Sequence, residues 1–210
     1  MKRDNRKCVS PAVRAGGSTP RYDAVIFDMD GTLIEPLLDF AAIRAELGIA
    51  SRDGIIEALE AMPPARRRRA SAQLERWELA AARRASLREG AAQMLLAVQQ
   101  AGLKTALLTR NARRAMQTVL SRFELTFDLA WSREDGPIKP EPDGILRACR
   151  RLGVRPERTA CVGDFRYDIV AANAAGAVSV LLAPKDGCEF ADQADFVINR
   201  LAELPPLLGI

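Results

Sequence analysis

One short stretch constrains this chain more than any other. The apolar run Ala24-Val25-Ile26-Phe27 leads straight into Asp28-Met29-Asp30-Gly31-Thr32. Continuous apolarity over four residues, with no polar alternation, reads as a strand buried on both faces, the pattern of a parallel sheet. At its end two carboxylates stand two residues apart. The side chain of residue 29 points the other way, so 28 and 30 share one side of the backbone. Gly31 then allows a sharp turn close to whatever binds there. Carboxylates held together repel, so a metal ion or a raised pKa on one of them must compensate. Taken alone, a strand ending in a solvated acidic turn explains the same five residues.

Similar runs recur along the chain. Leu103 through Leu108 ends in Thr109, followed by Arg110-Asn111. Thr159-Ala160-Cys161-Val162-Gly163 ends in Asp164, with Asp168 four residues on. Between them Lys139 is isolated in the Pro-braced stretch Gly136-Pro137-Ile138-Lys139-Pro140-Glu141-Pro142. In an open parallel sheet, ligands bind beyond the carboxyl ends of the strands. Asp28, Thr109 and Asp164 are thereby expected on one spot, although about 80 and about 55 residues separate them.

These residues resemble the haloacid dehalogenase superfamily, in its phosphatase branch. The resemblance rests on Asp-x-Asp-Gly-Thr, a Thr after an apolar strand, Lys-Pro, and Gly-Asp-x-x-x-Asp, in that order over residues 22 to about 170. It is closest in kind to phosphoglycolate-phosphatase-like members with a small helical cap. The resemblance implies a Mg²⁺-dependent phosphohydrolase in which Asp28 is the nucleophile and forms an aspartyl-phosphate. Asp30 would be general acid and base, and Thr109 would contact the phosphoryl group; Arg110, by its position next to Thr109, is a further candidate for that contact. Lys139 would steady the nucleophile and the transferring charge. Asp28, Asp164, Asp168 and a backbone carbonyl near Asp30 would serve the metal, Asp168 as ligand or water-mediated support. The implied partner is a small phosphorylated metabolite, with neither nucleic acid nor membrane involved.

The chemistry agrees with these roles. A phosphate monoester is a dianion, so a carboxylate can attack it only where cations neutralise charge. Oxygen ligands suit a hard octahedral cation. Asp30 must carry a proton part of the time, which a neighbouring carboxylate encourages. The chain has no histidine, which excludes imidazole-based zinc, triad and phosphohistidine chemistry. No lysine occurs from 35 to 103, so the cap lysine of phosphonate-cleaving relatives has no counterpart. The metal-free dehalogenase branch lacks the second aspartate, which is present here. A phosphosugar mutase shares the same intermediate and stays open as an alternative. A receiver-like phospho-accepting domain is the non-enzymatic alternative, but its acidic pair and acceptor lie on different strands and it has no helical cap.

The alternation of runs predicts an α/β fold: a Rossmann-like, doubly wound parallel sheet with right-handed crossovers and helices on both faces. Strands are expected near 23–28, 104–109, 127–131, 159–163, 178–182 and 195–198. Helices are expected at 90–101, 111–122, 142–152, 168–175 and 200–208, with Asn111 as the N-cap of the second and Asp168 opening the fourth. The strand pattern stops between 37 and 88. There Leu37 to Leu47, Ile55 to Met62 and Ala65 to Leu87 read as three helices, forming a small cap inserted after the first strand. The expected division is a leader at 1–21, a core at 22–34 and 89–210, and a cap at 35–88. Arg66-Arg67-Arg68-Arg69 reads as a solvated helix face paired with Glu60, Glu75 and Glu78, or as one arginine gripping a second anionic group on the substrate.

Charge and cysteine placement set the remaining bounds. Residues 1–21 hold six basic residues against one acidic, leaving 25 basic and 26 acidic for the rest, so the net +4 belongs to a leader without hydrophobic period. It reads as a disordered, solvated tail rather than a nucleic-acid arm. Cys8, Cys149, Cys161 and Cys188 form no CxxC pair, and no run approaches membrane-spanning length. A cytoplasmic setting is expected. Phosphoglycolate, sugar phosphates and nucleoside monophosphates all fit this pattern, and the oligomeric state is left open.

Overall fold

The computed structural model describes residues 21–50, 54–183 and 189–210. The expected leader lies outside these except for Arg21, as do Cys8 and Cys188. Six strands form one parallel sheet: β1 (Ala24–Phe27), β2 (Lys104–Leu108), β3 (Leu129–Trp131), β4 (Thr159–Gly163), β5 (Val178–Leu182) and β6 (Phe196–Ile198). Their order is β3-β2-β1-β4-β5-β6. β1 is central, pairing in parallel with β2 on one side and β4 on the other. The chain therefore reverses its direction of travel between β1 and β4, the place where an open α/β sheet leaves a crevice. The expected Rossmann-like, doubly wound core is what the chain forms.

Alternation along β1 explains why it has no polar face. Val25 and Phe27 point into one apolar layer, shared with α4 (Ala91–Gln100), α5 (Arg113–Arg122) and α8 (Leu204–Leu208). Ile26 points into the other, with α6 (Asp143–Leu152) and α7 (Arg166–Ala175). Each layer excludes water from one face of the sheet, at about 25 cal/mol gained per Å² of apolar surface buried. Cys161 and Cys149 are free and buried in the second layer, as expected of small hydrophobes.

Between β1 and α4 lie α1 (Phe40–Leu47), α2 (Ile55–Glu60) and α3 (Pro64–Arg84). They enclose a separate cluster made of Ile43, Leu47, Ile55, Leu59, Ala70 and Leu74. The chain enters and leaves this unit through two adjacent segments: the Glu35 N–H donates to Ser86 O at 3.0 Å, and the Arg88 N–H to Leu33 O at 2.9 Å.

Several helix boundaries differ from the sequence reading: the helix expected at 200–208 is a 3-10 turn over Leu201–Glu203 leading into α8, and two ends of the inserted helices shift by three residues. α1 begins at Phe40 rather than Leu37, because the Asp39 carboxylate caps it by accepting the Ala42 N–H at 2.9 Å. α3 ends at Arg84 rather than Leu87. There Ala85 turns extended, and the chain pairs with Ile34 through Leu87. Hydrophobic period carries past both ends, but capping and strand pairing decide them.

Candidate active site

The carboxyl end of β1 sets the site. The Asp28 N–H continues the ladder onto Val162 O at 2.9 Å, which fixes the first carboxylate against β4. The next turn folds back tightly, with Met29 O accepting from Leu33 at 2.9 Å and Ile34 at 3.1 Å. Gly31 holds φ 74° in that turn, and a Cβ there would stand 1.9 Å from Asp164 Oδ2. Any other residue would expel the Asp164 carboxylate, so this glycine is required twice over. Gly163 is required likewise, since its Cβ would meet Asp168 Cγ at 2.1 Å.

Lys139 ties the acids together. Its Nζ donates to Asp28 Oδ1 at 2.6 Å and to Asp168 Oδ1 at 2.5 Å. Asp168 is the third residue of α7, and its Oδ2 accepts the Phe165 N–H at 3.2 Å. Both Asp168 oxygens are thus engaged. Oxygens of Asp28, Asp164 and Asp168 lie within 4.8 Å of one another. That is close to the oxygen shell of a magnesium ion, about 4 Å across for bonds of about 2.1 Å.

Charge in this small volume is far from balanced. Asp28, Asp30, Asp164 and Asp168 face a single ammonium, leaving three negative charges if all ionise. Like charges about 4 Å apart cost about 4 kcal/mol at an effective dielectric of about 20. The groups respond by holding protons. Burial, then Asp28, then Glu78 push Asp30 up to about 8. Burial, then Asp28 and Asp168 push Asp164 up to about 8. Asp28 rises only to about 6, because Lys139 opposes its burial. Burial alone would lower the Lys139 ammonium, but Asp168 and Asp28 outweigh it and hold its pKa above the ordinary value. Two of the three excess charges match a divalent cation, and the third matches a proton on Asp30. The donor set therefore fits Mg²⁺.

β2 supplies the next group of side chains. Thr109 is buried, and its Oγ1 accepts the Asn111 N–H at 3.1 Å, leaving the hydroxyl proton to donate. Asn111 is not the N-cap expected from sequence: Ala112 occupies that position, and Asn111 Nδ2 donates to Asp30 Oδ2 at 2.7 Å. The backbone N–H has found Thr109, which frees the Asn111 side chain for the acid. A polar residue two positions past a strand-end Thr, as Asp30 is two past Asp28, was the available signal. Arg110 donates twice to Glu57 of α2, at 2.7 and 2.8 Å, and once to Lys139 O, with its guanidinium 4.4 Å from the Tyr167 ring centre.

α3 reaches the site through Glu78, which the sequence reading had placed on a solvated face. It is 3 % exposed, accepting from Arg133 at 2.5 Å and from the Ala112 N–H at 3.0 Å. Arg66 to Arg69 are all exposed and outside the cavity lining. Arg66 instead donates to Leu47 O at 3.4 Å and Gly48 O at 3.2 Å, the carbonyls ending α1. Glu75 pairs with Arg114 at 3.6 Å.

Asp28, Asp30, Thr109, Arg110, Lys139, Asp164 and Asp168, scattered over the sequence, all line one cavity of about 320 Å³. Its floor is the carboxyl end of the sheet, and its upper wall comes from α1, α2 and α3. No helix among the described residues is long and apolar enough to cross a membrane.

Comparison with known proteins identifies the family. Residues 22–176 match the family model of haloacid dehalogenase-like hydrolases. A haloacid dehalogenase-like hydrolase domain-containing protein of Arabidopsis thaliana is 31% identical over 218 residues, covering 95% of this chain and 89% of its own length. A phosphoglycolate phosphatase of Xanthomonas campestris is 27% identical over 215 residues, covering 88% and 94%. The fold is shared with a hydrolase from Pseudomonas syringae at a TM-score of 0.73, with 20% identity over 87% of this chain and 95% of that one. The chain belongs to the haloacid dehalogenase-like hydrolase family and is an enzyme of its phosphatase kind.

Proposed function

We propose that this enzyme hydrolyses a small-molecule phosphate monoester through an aspartyl-phosphate on Asp28, with Mg²⁺ bound beside it. The observation that carries this is the convergence of Asp28, Asp30, Asp164, Asp168 and Lys139 on one cavity floor, where the charges match a divalent cation plus one proton. Asp28 and Asp164, with the Asp30 backbone carbonyl, would hold the metal. When bound, it neutralises charge on the transferring phosphoryl group. Asp168 serves by orienting Lys139.

In the first half-reaction an Asp28 carboxylate oxygen attacks phosphorus while the bond from phosphorus to the leaving oxygen breaks. Asp30, held by Asn111, gives its proton to that oxygen. Lys139 fixes the Asp28 carboxylate during the attack, and Thr109 donates its hydroxyl proton to a phosphoryl oxygen. Water then attacks the aspartyl-phosphate, Asp30 takes back a proton, and phosphate leaves with Asp28 restored. Residues 22–34 and 89–210 form the core and 35–88 the cap, with the paired segments at 33–35 and 86–88 as its hinge. Glu57 and Glu78 then tie the cap to the core over the occupied site, and Arg110 adds positive potential to its wall.

Phosphate release from a panel of monoesters, with Mg²⁺ or EDTA, tests this against Asp28→Asn. Release is expected only with metal, and Asp28→Asn lowers it by at least about a thousandfold. Undiminished release by Asp28→Asn overturns the reading. Transfer of the phosphoryl group to a sugar hydroxyl without net release would make the enzyme a mutase instead.

A further inference from the structure

We infer that Glu78 is a positioning residue for proton transfer: from α3 it fixes the turn over residues 109–112 that presents Asn111 to Asp30. The inference rests on the phosphohydrolase reading and adds to it a residue that no strand end or motif marks.

The turn leaves β2 at Thr109, whose N–H donates to Trp131 O at 3.0 Å. It enters α5 at Ala112, which has no side-chain oxygen to cap the helix. Glu78 supplies that acceptor from 34 positions away: its Oε2 accepts the Ala112 N–H at 3.0 Å. Its other oxygen, Oε1, accepts from Arg133. Arg133 passes the hold back to the turn, donating from Nη1 to Arg110 O at 3.2 Å and from its backbone N–H to Asn111 O at 3.1 Å. Asn111 is thus gripped through the residue before it, through its own carbonyl and through the residue after it. Its side chain is left to donate to Asp30 Oδ2 at 2.7 Å. An acid held in this way transfers its proton only while the support stays in register, and a displacement of about 1 Å can cost about 100-fold in rate.

Docking of α3 on α5 does not by itself explain a carboxylate at this position. The two helices are joined elsewhere: Arg122 donates to Ala82 O at 3.0 Å and to Arg83 O, Arg114 pairs with Glu75 at 3.6 Å, and Ala82 packs in the main apolar layer. A buried ion pair loses the water around both charges, and two apolar side chains of the same size would join the helices as well or better. What an apolar residue lacks is a pair of acceptor oxygens. Glu78 spends one on the turn and the other on the arginine that grips it.

The test replaces the pair by apolar residues of like size, Glu78→Leu with Arg133→Met, beside Glu78→Leu alone. Tm, kcat and KM are measured with Mg²⁺ on phenyl phosphate and on 4-nitrophenyl phosphate, whose leaving group is the more acidic. Glu78→Leu is expected to lower Tm and the double variant to restore it. In both, kcat on phenyl phosphate stays about 10–100-fold below wild type, 4-nitrophenyl phosphate loses less, and KM changes by less than about twofold. Recovery of kcat together with Tm would make Glu78 a stabilising tie and overturn the inference. An equal loss on both esters, or a raised KM at unchanged kcat, overturns it too. Glu78→Gln keeps the shape and weakens the hold, so it shows the same selective loss to a smaller degree. It decides the matter if the double variant does not fold, and wild-type kcat on phenyl phosphate there overturns the inference. The Asn111 side-chain amide signal in ¹⁵N NMR reads the geometry without turnover. In the double variant it moves towards its position in Asp30→Ala; a signal that stays at the wild-type position overturns the inference. That movement, with no phosphate released from any monoester by wild type, removes the hydrolase reading and leaves Glu78 as the residue that positions Asn111.

Discussion

The floor and the upper wall of the cavity are built on opposite plans. The floor is polar, buried and internally bonded: Lys139 joins Asp28 to Asp168, Asn111 holds Asp30, and two glycines make room for Asp164 and Asp168. The wall is apolar and partly exposed, carried by helices that pack around their own small cluster. Strand ends of a sheet buried on both faces place groups to a fraction of an ångström, which bond making requires. Side chains on helices that pack largely around their own cluster can be exchanged without disturbing that placement. Under the proposed function, the sheet would set reaction type and the helices the choice of leaving group. The two ties between them are unequal as well. Glu57–Arg110 is partly exposed, the kind of pair worth about 0.2–1 kcal/mol. Glu78–Arg133 is buried, and removing one partner of such a pair costs about 3–5 kcal/mol.

The sharpest way to break this comparison is at the acid on the floor. Asp30→Asn keeps the shape and the contact with Asn111 but removes the proton donor. We expect kcat to fall by about 10²–10⁴-fold in steady-state assays. Esters of more acidic alcohols should lose least, because their leaving oxygen needs protonation least. A uniform loss across leaving groups would show that Asp30 acts by position rather than by proton transfer.

The same division governs what the sequence disclosed. The strand-end residues of the site were legible because each follows an apolar run, and parallel topology then brings the run ends together. Asp28, Thr109 and Asp164 needed no knowledge of side-chain packing to be placed. The cap helices were legible as helices, since Pro63, Pro64 and Gly48 punctuate them, but their faces were not. Glu78 has the same local surroundings as Glu75, yet one is buried against Arg133 and the other pairs with Arg114 near the surface. Only the packing of α3 on α5, a contact between segments far apart in sequence, separates them. Asn111 was misread for a related reason. A polar residue before a helix satisfies the capping pattern, and its alternative partner, Asp30, lies 81 positions away.

A smaller effect distinguishes the regions by pH. Asp28, Asp30 and Asp164 have folded pKa values of about 6, about 8 and about 8, against 3.8 when unperturbed. Between these limits the folded protein holds protons that the unfolded chain has released, so stability falls as pH rises. Metal replaces the protons, and it binds deprotonated carboxylates. At about 100 times its Kd a ligand adds about 2.7 kcal/mol, which for a chain of this size raises Tm by about 5–10 °C. Calorimetric scans of chelated and Mg²⁺-loaded protein should show that rise near pH 8 and less than half of it near pH 5.5. An equal rise at both pH values would place the metal away from these carboxylates. Among the described residues the helices of the upper wall show no comparable cluster and should add little to the difference.

The least effect is expected where the sequence looked loudest, in the four arginines of α3. Their consecutive positions point around the helix, and only Arg66 reaches another element, donating to the terminal carbonyls of α1. A cation at a helix C-terminus stabilises it by both hydrogen bonding and the dipole, and here the contact also pins α1 to α3. Arg66→Ala should cost about 0.5–1 kcal/mol of cap stability, while Arg67→Ala, Arg68→Ala and Arg69→Ala each stay within about 0.5 kcal/mol. Amide exchange in α1 measures this directly, because loss of the cap loosens that helix before the sheet. The Michaelis constant should not respond to the last three, since none of them lines the cavity. A raised Michaelis constant in any of those three would move substrate recognition outward from the cavity to the exposed face of α3, and with it the boundary between the two regions.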